Sequence, residues 1–184
     1  MHLRSRTKNV TIVTAVAILV GLVGQVSALK SDELERPITP CTLEVLPSGD
    51  ARLDQRGVFS ATTTLDVVLR TSFPADYKDV TVLRLQLKTP RGHLYQVLDV
   101  PVAEPGQASP EGRVLPGYPL PVKERVLVTV VDSTGRARKV VDTPFPVGGT
   151  SIVEHGLYGM WSAEVYLSES GQLPCATARF EITP

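Results

Sequence analysis

The sequence predicts an all-β fold: an antiparallel β-sandwich of about 7–9 strands. Three observations carry this. Short stretches alternate apolar and polar residues with the period of two that a half-buried strand requires. Turn-forming clusters separate them, and the chain holds 14 Gly and 15 Pro in 184 residues. Beyond residue 28, no stretch shows the 3.6-residue period of an amphipathic helix. With 42% hydrophobic and 21% charged residues, the chain has enough apolar surface to form a core.

The first element is a signal peptide, expected over residues 1–28. Met1–Asn9 is basic, Val10–Gly24 is a largely apolar run, and Val26-Ser27-Ala28 fits the small-residue rule for signal-peptidase cleavage. The run falls short of the roughly 20 residues that span a bilayer, which favours cleavage before Leu29 over a retained anchor. No Cys stands near the cleavage site to accept a lipid. Arg4, Arg6 and Lys8 lie in this segment with no acid, leaving 16 basic against 19 acidic residues downstream. That balance, with aromatics at 5%, argues against a nucleic-acid partner. Secretion or periplasmic residence is the expected localisation, with membrane contact only through an uncleaved signal.

Residues 29–40, charged and Pro-containing, are expected to be a flexible lead-in to one domain over residues 41–184. Cys41–Leu46 alternates as a first strand. Val58–Ser72 reads as one long strand, with Phe59, Ala61, Thr63, Leu65, Val67 and Leu69 on a common face. Val80–Lys88 and His93–Val102 form a hairpin about Thr89-Pro90-Arg91-Gly92. Residues 103–123 hold five Pro and three Gly, a density that excludes helix and central strand, so a long exposed loop is expected. Glu124–Asp132, with Val126, Val128 and Val130 on one face, turns at Asp132–Gly135 into Ala137–Thr143, which Pro144 and Pro146 should stop. At an offset of 43 residues these two hairpins resemble each other, as hairpins built by one set of rules do.

Gly159–Ile182 is the cleanest hairpin. Trp161, Ala163, Val165 and Leu167 share one face, and Ala176, Ala178, Phe180 and Ile182 repeat the pattern. Trp161, the sole Trp, is therefore the expected core anchor. Gly159, Trp161, Val165, Leu167, Phe180 and Ile182 make a G-x-W-x-x-x-V-x-L…F-x-I pattern. It resembles the closing strands of bacterial secreted immunoglobulin-like and fibronectin type III-like modules. The resemblance spans about 25 residues and implies an immunoglobulin-like sandwich but no activity. The Pro-rich insertion departs from a compact module of about 100 residues. In an oxidising compartment, Cys41 and Cys175, one near each end of the mature chain, are expected to form a disulfide.

Chemistry-bearing motifs are sparse. His93 follows a hairpin turn and His155 follows Glu154; neither belongs to a metal-ligand spacing. Ser133 sits in a turn without a nucleophile-elbow context. Asp66, Asp132 and Glu164 are carboxylates that nothing in the sequence pairs. No phosphate loop occurs. No catalytic, metal or cofactor site is expected. The expected function is non-catalytic: a protein-binding or structural envelope component, reached through a sheet edge or through Leu115, Tyr118 and Leu120 on the Pro-rich loop. The alternative is a polysaccharide-binding module presenting Tyr95, Tyr118, Tyr158 and Tyr166; a small hydrolase ranks third.

Overall fold

The computed structural model describes residues 41–48, 57–77, 80–167 and 173–184. The signal peptide, the lead-in and the connection at 168–172 expected from the sequence lie outside the described residues. All the strands belong to the compact unit Ile38–Pro184.

Among the described residues there are ten strands and one short helix. They are β1 (Thr42–Pro47), β2 (Val58–Ser60), β3 (Asp66–Pro74), β4 (Val82–Lys88), β5 (Leu94–Ala103), β6 (Arg125–Val126), β7 (Val128–Val131), β8 (Ala137–Pro146), α1 (Ser151–Glu154), β9 (Gly159–Tyr166) and β10 (Ala176–Thr183). Eight have four residues or more, within the expected count; β2 and β6 are short additions. One sheet runs β1-β3-β8-β7, the other β2-β10-β9-β4-β5-β6. Lettered along the chain, β1, β3, β8 and β7 take the A-B-E-D order of an immunoglobulin domain. The strands β10, β9, β4 and β5 then take the order G-F-C-C′. The fold is thus an immunoglobulin-like β-sandwich, recognised by its strand order. Two features depart from antibody domains, which join strands B and F by a disulfide and place the buried Trp on strand C. Here the disulfide joins Cys41, before β1, to Cys175, before β10, and Trp161 lies on β9.

Alternation explains the core. Val67, Leu69 and Phe73 of β3 and Val141 and Phe145 of β8 face Leu83, Leu85 and Leu87 of β4, Trp161, Ala163 and Val165 of β9, and Phe180 and Ile182 of β10. Trp161 packs edge-on to Tyr95 at 5.1 Å and stacks on Phe180 at 6.4 Å, with Phe145 at 6.1 Å. Its indole Nε1–H donates to the Leu157 carbonyl at 2.8 Å, tying β9 back to the corner after α1. Thr150 caps α1 by accepting from the Ile152 amide, and Ile152 is buried beneath it.

The stretch Val58–Ser72 is two strands rather than one. β2 pairs in parallel with β10 in the second sheet, and β3 pairs with β1 and β8 in the first. The chain crosses between sheets through a turn in which the Thr63 and Thr64 amides donate to the Ser60 carbonyl, leaving Leu65 exposed. Phe59 and Leu69 are both buried, but they reach the core from opposite layers.

Strand β8 also differs from expectation, because it runs through Pro144 to Pro146. The Asp132 amide donates to the Arg136 carbonyl, so along β8 the even-numbered amides face β7. The β7 ladder ends at Val128 opposite Val140. Pro144 and Pro146 therefore place their missing N–H where no strand stands. Pro101 follows the same rule on β5: the Asp99 amide points away from β4, and so would an amide at 101.

Candidate functional site

The structure places the residues that sequence singled out in several separate locations. Cys41 and Cys175 form a disulfide across 134 residues that fastens the start of β1 in one sheet to the start of β10 in the other. Such a bridge fits an oxidising compartment. Trp161 is wholly buried.

Leu115, Tyr118 and Leu120 lie on the Pro-rich segment, which is pinned along its length. Arg113 and Val122 exchange backbone hydrogen bonds of 2.9 and 2.8 Å. The Arg113 guanidinium donates to the Thr81 carbonyl at 3.0 Å and pairs with the buried Glu124 carboxylate at 2.5 Å. Glu124 also accepts from the Ser109 amide at 2.7 Å. Lys139 of β8 reaches across to Glu104 at the segment's start. Gly112, at φ +81°, lies against the backbone at Val122; a Cβ there would sit 2.7 Å from the Val122 carbonyl oxygen. Leu115 is buried, and the Tyr118 hydroxyl accepts the outward-facing Asp99 amide at 3.1 Å. The segment is therefore a cover over the free edge of β5. Much of the segment's outer side is exposed, and of its large apolar side chains Leu120, 73% exposed, and Val114 stand out in solvent.

The tyrosines do not share a face. Tyr95 packs inward on Trp161 and bonds Ser151 Oγ at 2.6 Å. Tyr166 points outward from β9 and donates to Glu164 Oε2 at 2.9 Å. Burial works to raise the Glu164 carboxyl, but hydrogen bonds from Lys88 and Tyr166 prevail and hold it below the ordinary range. Burial, with the same bond, raises the Tyr166 phenol. Asp132 is held low by its hydrogen bonds from the Thr134 hydroxyl and the Arg136 and Thr134 amides, which fix the β7–β8 turn. Asp66 opens β3 in the first sheet, apart from Glu164 on the outer face of the second. His93 lies in the β4–β5 turn, Ser133 in the β7–β8 turn, and His155 closes α1. Among the described residues, no group of three or more His, Cys, Asp or Glu is placed to hold a metal ion, and no helix is long and apolar enough to cross a membrane.

Strand β7 turns its valines toward solvent. Val126, Val128 and Val130 do share a side, but it is the exposed one; Leu127 is the buried residue. The Leu127 amide donates to the Ala103 carbonyl at 2.9 Å. Continuing that alternation, the amides of Thr129 and Val131 face away from β8, and no backbone partner meets them among the described residues. Four valines at this edge are 45% (Val126), 56% (Val128), 39% (Val130) and 70% (Val131) exposed. Beside it, on the outer face of the first sheet, lies a shallow groove of about 550 Å³ lined by Val128, Val130 and Val140. Its charged walls are self-satisfied. Arg70 grips Asp142 through two 2.8 Å bonds, which raises the Arg70 pKa, and Arg138 donates to Ser72 Oγ and the Ser72 carbonyl at 3.1 Å.

No family model matches the chain, and no curated protein matches it. A solved immunoglobulin-like protein from Pseudomonas aeruginosa is similar at 15% identity over 78% of this chain and 92% of that one, with a TM-score of 0.36. The strand order of the two sheets, and not this likeness, is the ground for the fold assignment.

Val126–Val131 is apolar at every position except Thr129, and that run across both parities was the available signal for this edge. A strand that is apolar on both faces is either buried in a sheet or open to a partner.

Proposed function

We propose that the chain is a non-catalytic, secreted or periplasmic β-sandwich that binds another protein, and that the partner adds a strand at the edge of β7. The observation that supports this is the uneven treatment of the sheet edges. The β5 edge carries Pro101 and the pinned segment with Tyr118. The free part of β8 carries Pro144 and Pro146. The start of β1 is clasped to β10 by the disulfide. Such devices keep edges from pairing. Among the described residues none of these stands on β7, and it is lined with valine. An added strand would satisfy the outward groups of Thr129 and Val131, while its alternate side chains would meet Val128 and Val130 beside the groove. Export is supported by the signal-like N-terminus together with the disulfide. Leu120 is proposed as a second contact, carried on the segment that the buried Leu115 and the Tyr118 hydroxyl anchor.

Site-specific photo-crosslinking tests the reading. A benzophenone side chain at Val131, introduced in the cell that makes the protein, is expected to give a discrete protein adduct. The same probe at Thr177, on the far sheet, should not. A Val131 probe that yields no more adduct than Thr177 refutes edge docking.

A further inference from the structure

Resting on that reading of β7, we infer that the strand it accepts is β7 of a second copy of this chain, paired antiparallel about a two-fold axis. Pairing by a two-fold axis perpendicular to the sheet keeps each residue on its own face, so the axis must pass through a residue. With the axis at Val130, Thr129 of each copy lies opposite Val131 of the other. Those are the two residues whose backbone groups face outward, so four hydrogen bonds form and none of the outward groups on Thr129 and Val131 is left over. Centring on Thr129 instead would set Val131 against Leu127, whose amide is already given to Ala103.

Side chains agree with this register. Val130 meets Val130 in a close, non-hydrogen-bonded pair, with Val128 diagonal to it, so the apolar strip beside the groove becomes continuous across the axis. No formal charge lies between Val126 and Val131, so self-pairing brings no like charges face to face. Asp132 of one copy falls opposite Val128 of the other, so its carboxylate, held by the Thr134 and Arg136 amides, faces no like charge across the strand. The pairing would join two four-stranded sheets into one of eight strands.

The test uses the full chain and two variants, with melting temperature as a control for folding. Thr129→Pro removes an amide that β8 does not use, and proline is tolerated on that side of an edge strand. Val130→Lys keeps the backbone but sets two ammonium groups at the axis. Sedimentation equilibrium should show reversible dimers of wild type and at least tenfold weaker association for both variants. The Val131 crosslink should then have twice the chain's mass. Association that neither variant weakens overturns the inference. A Val131 adduct made only with a different protein also overturns it, while leaving edge docking in place. No adduct at all overturns both.

Discussion

Replacing Trp161 with Ala tests whether the last hairpin anchors the sandwich. The side chain is fully buried among Tyr95, Phe145 and Phe180. Removing so large a ring from a packed site costs about 3–5 kcal/mol, and more where the walls cannot collapse. The walls here are strands of two hydrogen-bonded sheets, which resist collapse. The substitution also strands the Leu157 carbonyl, which accepts from the indole at 2.8 Å; losing that bond adds about 1 kcal/mol. The expected loss is about 4–6 kcal/mol, a large share of the 5–15 kcal/mol typical of a domain. Urea unfolding followed by far-ultraviolet circular dichroism is the assay, since the fluorescent reporter is gone. With a slope near 2 kcal/mol/M, the midpoint should fall by about 2 M or more. Trp161→Phe keeps a ring but loses the donor, and should cost roughly 1–3 kcal/mol. A midpoint within about 0.3 M of wild type for Trp161→Ala would show that the aromatic cluster contributes little and that the account of the core is wrong.

Three further outcomes are expected. Replacing Cys41 and Cys175 together with Ala should lower stability by up to about 5 kcal/mol on the chain-entropy account of a 134-residue loop; an unchanged thermal midpoint for the oxidised wild type and the double variant would contradict it. Glu164 has a depressed folded pKa, so its contribution is complete above its unfolded value near 4.3 and is lost as pH falls through the lower folded value. Glu164→Gln should therefore flatten the fall in stability as pH drops below about 4.3, and identical pH profiles for the two proteins would refute the pairing with Lys88 and Tyr166. Gly112→Ala should strain the backbone and collide with the Val122 carbonyl, loosening the Pro-rich cover; limited proteolysis between Pro105 and Pro121 should accelerate several-fold, and a cutting rate equal to wild type would count against the pinned conformation.

Much of the fold was legible because its strands are half-buried. Where one face meets the core and the other meets water, as in Trp161–Leu167 and Leu83–Lys88, period-two alternation carries the register directly, and the residues assigned inward there are buried. The reading failed where alternation continues without a common layer. Phe59 and Leu69 have the same parity, but the chain changes sheets between them, and sequence parity does not record which sheet a residue faces. It failed again at Pro144 and Pro146. Whether proline ends a strand depends on which way its missing amide would point and on whether a neighbour stands there, and β7 ends opposite Val140, before Pro144. In the loop, the proline density suggested exposure. It does not show that Arg113 fastens the segment to Thr81 just before β4, that Tyr118 fastens it to Asp99 of β5, or that Glu124 ties Ser109 to Arg113 within it. At the candidate edge, alternation puts Val126, Val128 and Val130 on one face without saying which way that face points; Leu127 takes the inward direction.

These misreadings share a cause that bears on function. Proline in this chain is placed by hydrogen-bond direction: Pro101, Pro144 and Pro146 all fall where a strand's amide would otherwise face an open edge. The twenty-residue insertion serves a similar purpose on β5, using Tyr118 as an acceptor where proline would be used elsewhere. Protection is thus applied position by position, at some cost in loop ordering. A valine-rich edge whose outward positions are Thr129 and Val131 stands apart from this pattern, because one proline at 129 would close it without disturbing β8. Its openness is a property of these few residues and is not imposed by the fold. That is why Thr129→Pro is informative: a substitution that leaves the sandwich intact but abolishes association would separate the role of the edge from the role of the core.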